Sequence, residues 1–305
     1  MMVHLTGRII VFAFLFLSLA FPAASLAAGW ETAAPGVLLY KAAAVAPSGG
    51  SMNVWMYLPA KRKGKIPCVF IAPAGSRLFH GMTLGSGDQA EHFPLVQAGF
   101  AVVAYDIDGP CEADSGPQVG AAARAFRNAD GGVANAKIAI SKALKDLADI
   151  DPNRLYVSGH SSAGTLALQV AAKDKRVKGC VAFAPCVDLV GQLSSGMSML
   201  NAMAPGFGAF SAANSPDHLV KSISCPVFLF HADDDTTIPT AQIQALAEAL
   251  KKNGTDVNFV RVANGGHYDS MTAQGIPSAI QWLNKKAGSA ANSVPAGKSP
   301  APVKN

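Results

Sequence analysis

Apolar positions along the chain fall into two alternating periods, and that alternation predicts the architecture. Residues 37–45 and 52–58 read as strands joined by the turn cluster Pro47-Ser48-Gly49-Gly50. They predict an antiparallel hairpin at the edge of a sheet. Residues 68–72 are continuously apolar, as expected of a strand buried on both faces. Residues 89–98 follow as a helix ended by Gly99, and 101–105 as the next buried strand. Residues 133–148 predict a longer helix, with Ile140, Ala143, Leu144 and Leu147 at helical spacing. A strand at 155–158 leads into a helix at 162–172. Strands at 180–184, 227–230 and 257–262 complete the set, with helices at 240–251 and 276–286. Strand and helix taking turns predicts an α/β fold: a mostly parallel twisted sheet of about eight strands, with helices on both faces.

Four stretches depart from the alternation. Residues 187–222 are rich in Met, Gly, Ser and Ala and carry Leu193, Met197, Met199, Leu200, Met203, Phe207 and Phe210 on a weak helical period. They predict a short insertion before the penultimate strands, either a small lid at the mouth of a site or a surface helix packed on its own apolar face. Lys61-Arg62-Lys63-Gly64-Lys65 reads as a solvated basic turn. Residues 287–305 are small, polar and proline-bearing, and predict a disordered tail. Residues 1–28 read as a signal peptide: Arg8, an apolar run over 9–21 too short to span a bilayer, then Pro22 and small residues. Cleavage after Ala27 or Ala28 predicts a secreted or periplasmic domain at 29–286 with no membrane span; an uncleaved anchor is the alternative. No internal repeat is visible.

Composition narrows the classes. The 305 residues suit one large domain or two small ones, and half are hydrophobic, enough for a sizeable core. The net charge of +5 is dilute, and no Lys/Arg run is dense enough to suggest nucleic acid. Export permits disulfides, and the odd count of five cysteines leaves at least one unpaired or bonded to another chain. Cys68, Cys180 and Cys225 sit in or beside apolar runs and read as buried small hydrophobes. Cys111 and Cys186 both follow strands and are the candidate pair. Neither a C-x-x-C nor a Cys/His ligand spacing occurs, so no metal is expected, and no cofactor.

The chemistry begins at Gly159-His160-Ser161-Ser162-Ala163, between a predicted strand and a predicted helix. This is the Gly-x-Ser-x-small pattern of a nucleophile elbow. A serine on so sharp a turn projects its hydroxyl clear of the backbone, and the residues two before and two after it must be small. Gly159 and Ala163 meet that demand for Ser161. Ser162, the rival, would have His160 and Gly164 as flanks, and a ring there would crowd the turn. The Ser162 N–H, at a helix N-terminus, points where an oxyanion would form.

An activated serine needs a base and an orienting acid. The strand at 227–230 runs into His231-Ala232-Asp233-Asp234-Asp235, and the strand at 257–262 into Ala263-Asn264-Gly265-Gly266-His267. Loops leaving the carboxyl ends of parallel strands converge on one edge. Ser161, one of three aspartates and His267 all lie there, in the order Ser, Asp, His.

These residues resemble the α/β-hydrolases, and within them the prolyl-oligopeptidase and dienelactone-hydrolase branch, over roughly residues 37–286. The resemblance also rests on Gln97-Ala98-Gly99-Phe100-Ala101-Val102-Val103-Ala104-Tyr105-Asp106, Asp151-Pro152-Asn153-Arg154, Ser215-Pro216 before Cys225-Pro226-Val227, and the His-x-x-x-Asp-x-x-Ile-Pro run. It implies Asp235 as the acid, three residues before Ile238, with Asp233 and Asp234 as turn-capping neighbours. It implies a structural role for His231. His160, His80, His92 and His218 are assigned to surface or packing. Relatives carry His-Gly-Gly where this chain has Pro73-Ala74-Gly75-Ser76, so the second oxyanion donor is Ala74 or Gly75, and the family alignment favours Ala74. Dienelactone hydrolases use a cysteine nucleophile, and Ser161 departs from that.

The expected function is an exported serine hydrolase cleaving a carboxylic ester, with a small-molecule ester or peptide as substrate. One alternative is a serine peptidase. Those relatives usually carry a propeller domain, and the region before 37 is too short for one, which favours open access and ester cleavage. The other is a non-catalytic binding protein of the same fold, which an intact Ser, Asp and His argue against.

Overall fold

Nine strands make one sheet in the computed structural model, which describes residues 29–113 and 116–288. They are β1 (Trp30–Ala34), β2 (Val37–Val45), β3 (Ser51–Pro59), β4 (Ile66–Ile71), β5 (Ala101–Tyr105), β6 (Ile150–His160), β7 (Gly179–Phe183), β8 (Val227–Ala232) and β9 (Val257–Val262). The spatial order is β1-β2-β3-β5-β4-β6-β7-β8-β9. The strands β1, β2, β3 and β5 pair antiparallel in succession, and every pair from β5 through β4 to β9 is parallel. The predicted signal peptide, and the predicted tail from residue 289 onward, lie outside the described residues.

The helices are α1 (Gln89–Gln97), α2 (Pro117–Asn128), α3 (Val133–Asp146), α4 (Ser162–Lys173), α9 (Thr240–Lys252) and α10 (Ile276–Ala287). Four short ones, α5 (Leu189–Gln192), α6 (Met197–Met203), α7 (Phe207–Asn214) and α8 (Pro216–Leu219), fill the predicted insertion. No helix among the described residues is long and apolar enough to cross a membrane.

Period-two alternation divides the interior into two cores. Cys68, Phe70, Ala101, Val103, Leu155 and Val157 face α2, α3, α4 and α9. Val69, Ile71, Val102, Ala104, Tyr156 and Phe228 face α1 and α10. Each large side chain so enclosed contributes about 1.5–3 kcal/mol. That double burial is why these strands read as unbroken apolar runs.

Three expectations change. The ninth strand, β1, makes β2 an inner strand; Trp-Glu-Thr-Ala-Ala is partly exposed and does not alternate, so it left no pattern to read. The helix α2 was also unmarked, because its buried stripe is Val119, Gly120, Ala122, Ala123 and Phe126, mostly small residues. Finally, all five cysteines are free. Cys111 follows β5 and Cys186 follows β7, and β4 and β6 lie between those strands. At about 4.8 Å per strand, two residues in those positions start too far apart for a disulfide.

Candidate active site

The sharpest local feature is the junction of β6 and α4. Ser161 has φ 53° and ψ −121°, a region that L side chains enter at a cost of about 1–3 kcal/mol. A Cβ at Gly159 would lie 2.3 Å from the Ala163 carbonyl oxygen, so only glycine fits there. The Ser161 N–H donates to the Phe183 carbonyl at 2.8 Å, pinning the turn to β7. Thr165 Oγ1–H donates to the Cys186 carbonyl at 2.9 Å and fastens the first turn of α4. Ser161 is partly exposed while both neighbours are buried. Its hydroxyl makes no hydrogen bond among the described residues, and such contacts often tighten only when substrate is present.

The acid and the imidazole come from the ends of β8 and β9, which are adjacent. The Asp235 carboxylate is fully buried, and its Oδ2 accepts the His267 Nδ1–H at 2.7 Å. Its Oδ1 accepts the amides of Thr237 at 2.7 Å and Ile238 at 3.0 Å. Burial pushes this carboxyl up, but His267 and the two amides outweigh it and hold the group below the usual carboxylate range. With Nδ1 protonated toward Asp235, a neutral His267 leaves Nε2 as a proton acceptor.

The two neighbouring aspartates do different work. Asp234 accepts the Gly265 and Gly266 amides at 3.0 and 2.8 Å and so caps the loop that carries His267. These amides hold its carboxyl below the ordinary range. Asp233 pairs with Arg261 of β9. His231 is fully buried and donates Nε2–H to the Ile238 carbonyl at 3.0 Å, while burial lowers its pKa and keeps it neutral.

The loop after β4 reaches the elbow from the other side. The Gly75 and Ser76 amides both donate to Ser162 Oγ at 3.1 Å. The Ala74 N–H and the Ser162 N–H have no acceptor among the described residues. Of the two candidate donors in this loop, Gly75 is therefore engaged and Ala74 is not.

His160 also departs from simple packing. Its Nε2–H donates to the His267 carbonyl at 2.8 Å, and the two rings lie 4.6 Å apart. Nothing in the sequence marked this contact, because its partner is a backbone oxygen 107 residues away. His80 and His92 are buried; the His80 carbonyl accepts the Ser76 hydroxyl, and His92 packs on Tyr57. The insertion packs on α2. Arg124 of α2 donates to the Met203 carbonyl at 2.6 Å, and Phe126 meets Phe210 at 6.1 Å. A cavity of about 10 Å³, room for roughly one water, remains between Ser76, Ser162, Leu189 and Phe210.

The model of the prolyl oligopeptidase family (peptidase S9) matches residues 88–290. An uncharacterized peptidase of Bacillus subtilis is 25% identical over 236 residues, which cover 73% of this chain and 34% of that protein. Among solved structures, an acylaminoacyl peptidase of Pyrococcus horikoshii superposes with a TM-score of 0.67 at 14% identity, covering 87% of this chain and 43% of that one. Acetyl xylan esterase 1 of a Thermoanaerobacterium species superposes with a TM-score of 0.61 at 16% identity, covering 84% of this chain and 86% of that one. The chain thus spans about a third of the curated relative's length. The structural likenesses identify the α/β-hydrolase fold.

Proposed function

The chain belongs to the prolyl oligopeptidase family, and on that premise we propose that it is a serine hydrolase that cleaves a carboxylic ester through an acyl-enzyme. The observation that carries this reading is the 2.7 Å contact between His267 and the buried Asp235 carboxylate, on a loop that also grips the residue beside a strained serine. In the proposed cycle, His267 Nε2 takes the proton of Ser161 as its Oγ attacks the substrate carbonyl. Asp235 keeps the Nδ1–H tautomer and stabilises the imidazolium. The N–H groups of Ser162 and Ala74 receive the oxyanion. The imidazolium returns the proton to the departing alkoxide. Water, deprotonated by the same ring, then releases the acid and restores Ser161.

A fluorophosphonate probe tests the assignment directly. It should label the protein, and Ser161→Ala should abolish labelling and lower turnover of a p-nitrophenyl ester by several orders of magnitude. A near-normal rate in that variant would remove Ser161 from the role. The second reading, a peptidase, is favoured by the family and by the two peptidase relatives. A screen of ester chain lengths, aryl esters and acetylated sugars beside peptide p-nitroanilides separates the two; kcat/KM greater on the peptides would replace ester by peptide. The pattern of residues 1–28 supports an exported enzyme, and recovery of a chain beginning near residue 28 or 29 outside the cytoplasm would check that.

A further inference from the structure

We infer that the two side chains flanking Ser161 are positioning residues: His160 fastens the histidine loop to the elbow, and Ser162 fastens the oxyanion loop. This inference rests on the serine-hydrolase reading above. Three consecutive side chains divide the work, with Ser161 facing the open side and its two neighbours turned inward to hold the loops that must meet it.

Ser162 is buried, at 8% exposure, and its Oγ receives two successive backbone amides at 3.1 Å each. The peptide carrying the free Ala74 N–H is thereby held from both sides. The ring of Pro73 restricts rotation before it. The bond from Gly75 to Ser162 fixes the next peptide after it. Without Ser162 Oγ, the Gly75 and Ser76 amides lose their shared acceptor, and the Ala74 N–H loses its aim. The side chain of Ser162 therefore sets one oxyanion donor, while its own backbone N–H supplies the other.

His160 does the matching work for the base. It is 4% exposed, donates to the His267 carbonyl at 2.8 Å and lies ring against ring with His267 at 4.6 Å. Tyr268 closes on its other edge at 5.6 Å. Burial lowers the His160 pKa to about 4, so the ring is neutral at pH 7. A neutral ring can lie against an imidazolium without charge repulsion. It keeps its donor proton while His267 gains and loses one.

Two pairs of variants separate positioning from packing. Ser162→Ala removes the acceptor and Ser162→Thr keeps it; His160→Phe keeps a ring without a donor and His160→Gln keeps a donor. Fluorophosphonate labelling of wild type comes first, and its absence overturns the serine-hydrolase reading itself. With labelling intact, Ser162→Ala and His160→Phe should each lower kcat about 10- to 100-fold, with KM within about threefold of wild type. Ser162→Thr and His160→Gln should recover most of that loss. Equal losses within a pair, or losses carried in KM, overturn the role of that residue. Amide exchange on the wild-type protein gives a check that needs no variant to fold. The Gly75 and Ser76 amides should exchange more slowly than that of Ala74, and equal rates overturn the Ser162 anchor.

Discussion

The histidine loop and the oxyanion loop are fastened to the two residues flanking the same serine, but they are held by different chemistry. The histidine loop is anchored by carboxylates: Asp234 takes the Gly265 and Gly266 amides, and Asp235 takes His267 itself. The oxyanion loop is anchored by hydroxyls: Ser162 Oγ takes the Gly75 and Ser76 amides, and Ser76 Oγ takes that of Leu78. The difference fits the role proposed for each loop. An imidazole that cycles between neutral and cationic needs a fixed anion beside it. Amides that receive a transient oxyanion work best with no competing negative charge nearby. Charge holds the group that changes charge, and neutral dipoles hold the groups that must not.

The largest expected break is at the charged anchor. Asp235→Asn should lower kcat about 10³- to 10⁴-fold while leaving the thermal transition nearly in place, because the amide can still accept from Thr237 and Ile238 but can favour the wrong His267 tautomer. Stopped or steady-state kinetics beside calorimetry would read both effects. A smaller contrast lies in the glycines. Gly265 has φ 118°, and a Cβ there would lie 2.8 Å from that of Ser270. Gly75 has φ 96°, with only the Met82 methyl, 3.8 Å away, within reach. Gly265→Ala should therefore cost about 2–4 kcal/mol in denaturant unfolding, against about 1–2 kcal/mol for Gly75→Ala.

The mildest effect appears on acidification. Both Asp234 and Asp235 are depressed relative to ordinary carboxylates, so their hold is complete above the unfolded value of about 4 and is lost as pH falls through the lower folded values. The Gly265 and Gly266 amides should keep their exchange protection from pH 7 to about 5 and lose it only below about 4. The Gly75 and Ser76 amides rest on a hydroxyl and should show no such step of their own. Coincident loss at both loops would mean that the whole domain, and not one anchor, responds to acid.

The sheet, the elbow and the histidine loop were legible because each carries a strong local signal. Doubly buried strands give continuous apolar runs, and Gly159 with Ala163 records the cramped turn around Ser161. Choosing among Asp233, Asp234 and Asp235 required family resemblance, since three adjacent carboxylates look alike in sequence. Their separate duties depend on which strand end faces which amide. The strand β1 and the helix α2 escaped notice because a half-exposed strand and an alanine stripe break no pattern. The contacts of His160 and Ser162 were out of reach for another reason. Each partner is backbone, distant in sequence and carrying no side-chain signature.

The acid and the base also ride on strands of unequal shelter. Every residue of β8 is buried, whereas β9 closes the parallel end of the sheet with residues that are partly or fully exposed. The imidazole therefore hangs from the margin of the molecule and its carboxylate from the interior. Margins fray at lower free energy than centres. Gentle warming should thus uncouple the proposed proton relay while the hydrophobic interior is still whole, so that thermal inactivation runs ahead of melting.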